Sequence, residues 1–246
     1  MSAGPAGAAS VPNAFRDGAA RSIRHPLARA LLALTFSTGL VDAVSYLGLG
    51  RVFTANMTGN IVLLGFGIAR SGGLPVVAPL VPLGAFLAGS AIGGILAVTT
   101  ADRHARHLAR TLGIEVALLL AAAVVAAAAD VRPSTFSGDA VIAMLALAMG
   151  VRNATVRRLA VPDLTTTVLT MTLTGLAADS PLGGGNGEGS SRRTAAVVAM
   201  LIGAIAGALL LKISLVPPLL AAAALALLVA LAYVPFATAG RPAGQR

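Results

Sequence analysis

Eight long apolar segments dominate this chain and limit what it can fold into. A helix rises 1.5 Å per residue, so about 20 apolar residues are needed to cross a bilayer core about 30 Å thick. Charged residues make up 11% of the sequence, whereas soluble domains carry about 25%. The pattern therefore predicts an all-α membrane protein. The segments cover residues 27–49, 52–69, 75–99, 109–129, 140–156, 164–178, 194–213 and 214–234.

Two of these segments are poor candidates for full spans. Residues 164–178 would extend only about 22 Å as a helix, and the segment at 52–69 is polar in its first half, around Asn56, Thr58 and Asn60. Helix-capping or helix-breaking residues precede both, which is typical of short helices that start at such points. We therefore expect six transmembrane helices plus two short broken or re-entrant helices.

The positions of the basic residues favour the same topology. If all eight segments crossed the membrane with the N-terminal tail inside, the cluster at Asp102–Arg110 and the pair Arg157 and Arg158 would face outwards. Basic residues concentrate on the cytoplasmic side of membrane proteins. We therefore expect the two short segments to enter and leave on one side, in a multi-pass protein of the inner or plasma membrane with cytoplasmic N- and C-termini. Only four of the 18 Lys and Arg residues then lie outside, namely Arg51, Arg70, Arg132 and Lys212.

An internal repeat divides the apolar region into residues 27–130 and 131–236. The sequence GSAIG (Gly89–Gly93) matches GAIAG (Gly203–Gly207), 114 residues further on. Because each repeat holds three full spans, the second copy would run inverted relative to the first, in a 3+3 arrangement. Further pairs, 111 residues apart and in the same order along the chain, are Gly39 with Gly150, Asp42 with Asn153, Ala43 with Ala154, and Thr54 with Thr165.

Polar segments flank and interrupt these repeats. Residues 1–26 are small, polar and arginine-bearing, so we expect a disordered cytoplasmic tail. Residues 180–193 are rich in glycine and serine, as flexible linkers are. Residues 237–246 are expected to form a polar C-terminal tail.

Two motifs give the chain a family resemblance. The first runs from Asp42-Ala43 to Asn56-Met57-Thr58-Gly59-Asn60, and the second from Asn153-Ala154 to Pro162-Asp163-Leu164-Thr165. With them the chain resembles the YoaK-like family of bacterial polytopic inner-membrane proteins, a domain of unknown function, over nearly its whole length after the tail. The resemblance implies about six spans and no assigned activity. The chain departs from the family pattern in the second repeat, where TTTVLTMTLT takes the place of a Thr-Gly pair.

Polar residues inside the apolar segments are the candidate binding residues. An inverted repeat with two interrupted helices commonly forms a substrate site near the bilayer midplane, where protein or water surrounds the non-helical backbone. Thr167, Thr170 and Thr174 would share one helix face, although threonine in a membrane helix often bonds its own backbone. Asp163 is expected to cap the second short helix. The candidate solute-binding residues are Asp42, Ser45, Asn56, Thr58, Asn60, Arg152, Asn153, Thr166, Thr167 and Thr170.

Two acidic residues inside apolar segments require an explanation, because a carboxylate at membrane depth costs about 2.5–3.5 kcal/mol on insertion scales. Asp42 lies well inside the first segment. It either couples transport to protons or cations or forms a structural pair with Arg152, and both interpretations stay open. Glu115 is nearer the end of its segment, five residues after Arg110, so we expect its side chain to reach the interface.

These features favour a secondary transporter or permease of a small polar solute, driven by a proton or ion gradient because no nucleotide-binding motif is present. The alternative is a non-transporting scaffold or sensor that assembles, for instance as a homo-oligomer, through the small-xxx-small faces of GSAIG and GAIAG. An enzyme is not expected, since the sequence holds no nucleophile–base pair or metal-ligand set; no metal or cofactor is expected either. The net charge of +9 lies in arginine clusters between apolar runs, which indicates the lipid bilayer rather than nucleic acid as the partner.

Overall fold

The computed structural model describes residues 22–73, 76–99, 104–159 and 169–239, and within these ranges it is helical with no strand. Helix α1 continues into a π-helical turn at Val44–Gly48, and a short 3-10 turn lies at Pro181–Gly183. The α-helices are α1 (Pro26–Ala43), α2 (Met57–Ile68), α3 (Val77–Thr99), α4 (His104–Ala128), α5 (Phe136–Leu159), α6 (Leu169–Ala178), α7 (Ser190–Leu211) and α8 (Val216–Ala239).

Six of the described helices are long and apolar enough to cross a membrane: α1 with its π-helical turn, α3, α4, α5, α7 and α8. The other two, α2 and α6, have 12 and 10 residues. The prediction of an all-α membrane protein with six apolar spans and two short helices is confirmed at this level. The tail residues up to 21 and from 240, together with Pro162, Asp163, Thr165, Thr166 and Thr167, lie outside the described residues.

Local capping explains where several helices begin. Before α1, the Nδ1 atom of His25 accepts a hydrogen bond from the amide of Leu27 (3.2 Å), and Pro26 has no amide hydrogen to satisfy. Helix α5 starts earlier than the apolar segment at 140–156 because the Oγ1 atom of Thr135 accepts from the amide of Gly138 (3.1 Å). Helix α7 begins at Ser190, inside the stretch expected to be a flexible linker.

Three pairs of long helices form the bundle: α1 packs along α7, α3 along α5, and α4 along α8. Glycines bring the first two pairs close together. A Cβ atom on Gly93 would lie 2.8 Å from the Cβ of Ala154, and one on Gly207 would lie 2.8 Å from the Cβ of Ala43, closer than side chains tolerate. The GSAIG and GAIAG faces are therefore used for packing inside the chain.

Two buried clusters of apolar side chains show which helix ends lie next to each other. One cluster joins the beginnings of α1, α4 and α7 to the ends of α5 and α8, through Leu27, Leu108, Ala196, Leu159 and Tyr233 among others. The second cluster joins the end of α1 to the beginnings of α5 and α8, and the first turn of α3 and the last turn of α7 pack against it. Helix α3 therefore begins at the end of the bundle where α1 finishes, and α7 begins where α5 finishes.

Candidate functional site

The carboxylate of Asp42 holds the irregular segment between α1 and α2. Its Oδ1 atom accepts hydrogen bonds from the backbone amides of Thr54 (3.1 Å) and Ala55 (2.9 Å), and lies 3.4 Å from the hydroxyl of Thr54. These residues are buried. Because buried amides outside a helix need acceptors, this contact allows non-helical backbone to lie inside the bundle. The Oδ2 atom of Asp42 has no hydrogen-bond partner among the described residues.

Asn60 holds the same segment from the other side. Its side chain is fully buried, its Oδ1 atom accepts from the amide of Phe53 (2.9 Å), and its Nδ2 atom donates to the carbonyl of Phe53 (2.6 Å). Both polar groups of one backbone residue are thus satisfied by one amide side chain. Asn60, one of the polar residues that interrupt the second apolar segment, therefore supplies hydrogen bonds that a continuous helix would have made.

A cavity of about 400 Å³ lies where the two short helices approach each other. Thr170 of α6 lines it together with Asn56 and Thr58 at the start of α2. The rings of Tyr46 and Phe53 form one wall and stack with centroids 4.9 Å apart. The described part of the lining carries hydroxyl, amide and aromatic groups and no charged side chain; its remaining members are Gly59, Val62 and Leu63.

A buried ion pair joins three helices beside this region. The Nε atom of Arg152 in α5 donates to Glu115 Oε2 in α4 (2.9 Å), a terminal nitrogen of the same guanidinium pairs with Glu115 Oε1, and each side chain is 1% exposed. Three groups of α1 accept the remaining N–H bonds: the Leu34 carbonyl (2.9 Å), the Thr38 hydroxyl (3.0 Å) and the Ser37 hydroxyl (3.1 Å). All five guanidinium N–H groups therefore have an acceptor, which compensates much of the cost of burying the charge.

This ion pair corrects two expectations from the sequence. Glu115 does not reach the interface, because α4 begins at His104 and places the carboxylate about 16 Å along the helix. The structural pair considered for Asp42 and Arg152 is not found either: Arg152 binds Glu115, and Asp42 binds backbone amides.

The other candidate residues described by the structure bond their own helices. The hydroxyl of Ser45 donates to the carbonyl of Asp42 (3.2 Å), and the side-chain amide of Asn153 donates to the carbonyl of Met149 (2.8 Å). Thr174 donates to the carbonyl of Thr170 (2.9 Å), as expected for a threonine that bonds its own backbone. Thr166 and Thr167 lie outside the described residues.

Sequence reasoning missed several residues of the ion-pair cluster and of the cavity wall. Ser37 and Thr38 precede Asp42 by about one helical turn, so their position on a polar stripe of α1 was a usable signal. The expected position of Glu115 near the interface is wrong because α4 begins at His104, within the charged run that precedes the apolar segment at 109–129. The stacking of Tyr46 and Phe53 has no local sequence signal, since it depends on how the chain folds back after the π-helical turn.

Six apolar helices long enough to cross a bilayer define a polytopic integral membrane protein. The chain belongs to the family described as "Protein of unknown function (DUF1275)", which it matches over residues 30–232. It is similar to the UPF0700 transmembrane protein YoaK of Bacillus subtilis (strain 168), with 33% identity over 151 residues. That match covers 61% of this chain and 65% of the relative, slightly less than two thirds of its length. No solved structure matches the chain.

Proposed function

We propose that this chain is a secondary transporter or permease of a small polar solute, and that the solute binds in the cavity between α2 and α6. The observation that carries the proposal is the lining of this cavity. Asn56 and Thr58 come from the first half of the chain and Thr170 from the second, so a bound solute would contact both halves. Sites between broken helices of two repeats are typical of secondary transporters.

An inverted 3+3 repeat underlies this proposal, and equivalent glycine contacts support it. Gly203 lies against the carbonyl of Phe36, and Gly89 lies against the carbonyl of Leu147. The two glycines are 114 positions apart and their two partners are 111 positions apart, so the repeat-equivalent residues make the same kind of contact. Gly207 meets Ala43 as Gly93 meets Ala154. Two halves related by a two-fold axis in the membrane plane would produce such matched pairs.

The two short helices are proposed to enter and leave the membrane on one side. The arrangement of helix ends supports this, because α1 finishes and α3 begins beside the same buried cluster. A full crossing by α2 would put the first turn of α3 at the opposite end. The N- and C-termini are then cytoplasmic, on the side where basic residues concentrate.

The solute is proposed to be small, hydrogen-bonding and without net charge. A cavity of about 400 Å³ is at the lower end of ligand-site volumes. The lining offers two threonine hydroxyls, one amide and an aromatic wall, and a charged solute would lack a countercharge among the described lining residues. Asp42 is the proposed site of proton or cation coupling, because its Oδ2 atom has no hydrogen-bond partner among the described residues and its Oδ1 atom binds Thr54 and Ala55, which lie in sequence between the lining residues Phe53 and Asn56.

Reconstituted vesicles test the proposal. Stopped-flow light scattering of proteoliposomes, with glycerol, urea and a series of small uncharged amides and alcohols, should reveal solute flux above that of protein-free vesicles. Thr58→Val and Thr170→Val each remove one hydroxyl, and a lost hydrogen bond of about 0.5–1.5 kcal/mol should raise the half-saturating concentration roughly two- to tenfold. Thr99→Val is the matched control, since Thr99 is exposed at the end of α3 and its hydroxyl bonds the carbonyl of Ile95.

Coupling is tested separately with Asp42→Asn. Asparagine keeps an acceptor oxygen for the amides of Thr54 and Ala55, so the irregular segment should stay folded. Uptake driven by an imposed pH gradient should disappear while passive exchange of solute remains. Undiminished gradient-driven uptake by this variant would refute the coupling role, and no flux of any solute by the wild type would refute the transport proposal itself.

The alternative function, a scaffold or sensor assembled through small-residue faces, loses its main support in this fold. Gly89, Gly93, Gly203 and Gly207 are all occupied by contacts within the chain. An oligomer would have to use other surfaces. Transport therefore remains the function that the geometry favours.

A further inference from the structure

An apolar groove of about 450 Å³ lies between α1 and α8, away from the cavity of the short helices. It is found at the end of the bundle where α1 begins and α8 finishes. Small and aliphatic side chains form most of its walls. The lining consists of Pro26, Arg29, Ala30, Ala33, Leu225, Leu228, Val229, Ala232 and Tyr233.

Among the described residues of this lining, Arg29 is the one that carries a charge. Its side chain is exposed, and no ion pair to a carboxylate is found for it within the described ranges. It lies one turn after the start of α1, at the level where a span meets the headgroup region. The described part of the groove therefore has an apolar floor, with the positive charge of Arg29 at its mouth.

The surroundings of the mouth are basic as well. The buried cluster at this end joins the start of α1 and α4 to the end of α5, and Arg24, Arg110, Arg157 and Arg158 lie at those helix ends. A second copy of the chain, inserted in the same orientation, would bring the same positive charges to this level. Like charges across such an interface are unfavourable, so a second copy is a poor occupant.

We propose that this groove binds one acyl chain of an anionic phospholipid, with the lipid phosphate on the guanidinium of Arg29. Pro26 to Ala33 and Leu225 to Tyr233 extend about 10 and 12 Å along their helices, so the groove holds the part of the chain nearest the headgroup. Basic pockets between transmembrane helices on the cytoplasmic side select anionic headgroups in this way. The site is independent of the proposed transport function.

Native mass spectrometry of the full chain in detergent tests the proposal, with phosphatidylglycerol and phosphatidylcholine added in parallel. The wild type should bind phosphatidylglycerol about fivefold more tightly than phosphatidylcholine, which is the effect of one basic residue near the membrane surface. Arg29→Gln should abolish the preference and leave weak binding of both lipids. Lys212→Gln, at the opposite end of the bundle, is the matched control and should keep the preference.

A second variant tests the apolar part of the groove without changing charge. Ala33→Phe should fill the groove and weaken the binding of both lipids at least fivefold, whereas Ala91→Phe, on an exposed face of α3, should not. Equal affinity for the two lipids in the wild type, or an unchanged preference in Arg29→Gln, would overturn the proposal. Displacement of the lipid by millimolar inorganic phosphate alone would also overturn it and would assign the groove to a free anion. A change of oligomeric state in Ala33→Phe would overturn it as well and would assign the groove to a second copy.

Discussion

Removing one partner of the ion pair between Arg152 and Glu115 should strongly destabilise the bundle, and Glu115→Gln tests this directly. Glutamine keeps the shape of the side chain but removes its negative charge and one of its two acceptor oxygens. The guanidinium, 1% exposed, would then be a buried charge without a counterion. Breaking one partner of a buried pair costs about 3–5 kcal/mol.

At about 2–4 °C per kcal/mol for a chain of this size, the midpoint of thermal unfolding should fall by roughly 6–20 °C. Circular dichroism of the protein in detergent measures it. The matched control is Asp130→Asn, because Asp130 and Arg132 form an ion pair of 2.8 Å whose side chains are both 72% exposed. An exposed pair contributes about 0–1 kcal/mol, so this control should shift the midpoint by less than about 4 °C.

A double variant distinguishes the cost of leaving one charge unpaired from the cost of removing both charges. Replacing both Glu115 and Arg152 by leucine removes the two charges together, and apolar replacement of a whole buried pair is often neutral. Its midpoint should therefore lie above that of Glu115→Gln. A midpoint of Glu115→Gln within about 2 °C of the wild type, or a midpoint of the double variant at or below that of Glu115→Gln, would refute the reasoning.

Three further predictions concern the loop, the helix crossings and the first cap. Asn60→Leu leaves both backbone groups of Phe53 unpaired, at about 1–3 kcal/mol each, and should speed amide hydrogen exchange there; unchanged protection would contradict the role of Asn60. Gly89→Ala should lower the unfolding midpoint because its Cβ meets backbone, while Gly94→Ala, which meets nothing within 4 Å, should not; equal midpoints would count against the close crossing. Burial lowers the pKa of His25 below its ordinary value of 6.5, so protonation at acidic pH favours the unfolded chain. The free energy of unfolding should therefore decrease as the pH falls through 6.5 and become constant below the pKa of the folded protein. His25→Asn should flatten this dependence in melting curves recorded over a series of pH values.

The class of the protein follows from features that are local in sequence. Apolar segments and their lengths predicted six spans, because crossing a bilayer depends only on length and polarity within one segment. The polar interruption at Asn56 to Asn60 likewise predicted a broken helix. The close crossings at Gly89 and Gly203 could be anticipated as packing faces, since a small residue every fourth position permits close approach.

The contacts of the site depend on residues far apart in sequence, and these could not be predicted. Arg152 is separated from Glu115 by 37 positions and from Thr38 by 114, so no local pattern connects them. The sequence indicates that Asp42 lies at membrane depth and needs partners, but it does not indicate that these partners are backbone amides 12 and 13 residues later. Which polar residues line a cavity and which hold the backbone is decided by this long-range packing.

Single-cysteine labelling tests most directly the claim that α2 and α6 do not cross the membrane. The chain has no cysteine of its own, so each introduced thiol is unique. An impermeant maleimide is applied to intact and to permeabilised cells carrying Ser2→Cys, Ser71→Cys, Ala105→Cys or Asn186→Cys. The proposed topology predicts that Ser71→Cys alone reacts in intact cells, with the other three accessible only after permeabilisation. Labelling of Ala105→Cys from outside, with Ser71→Cys and Asn186→Cys protected alongside Ser2→Cys, would mean eight crossings and would contradict the inverted arrangement on which the transport proposal depends.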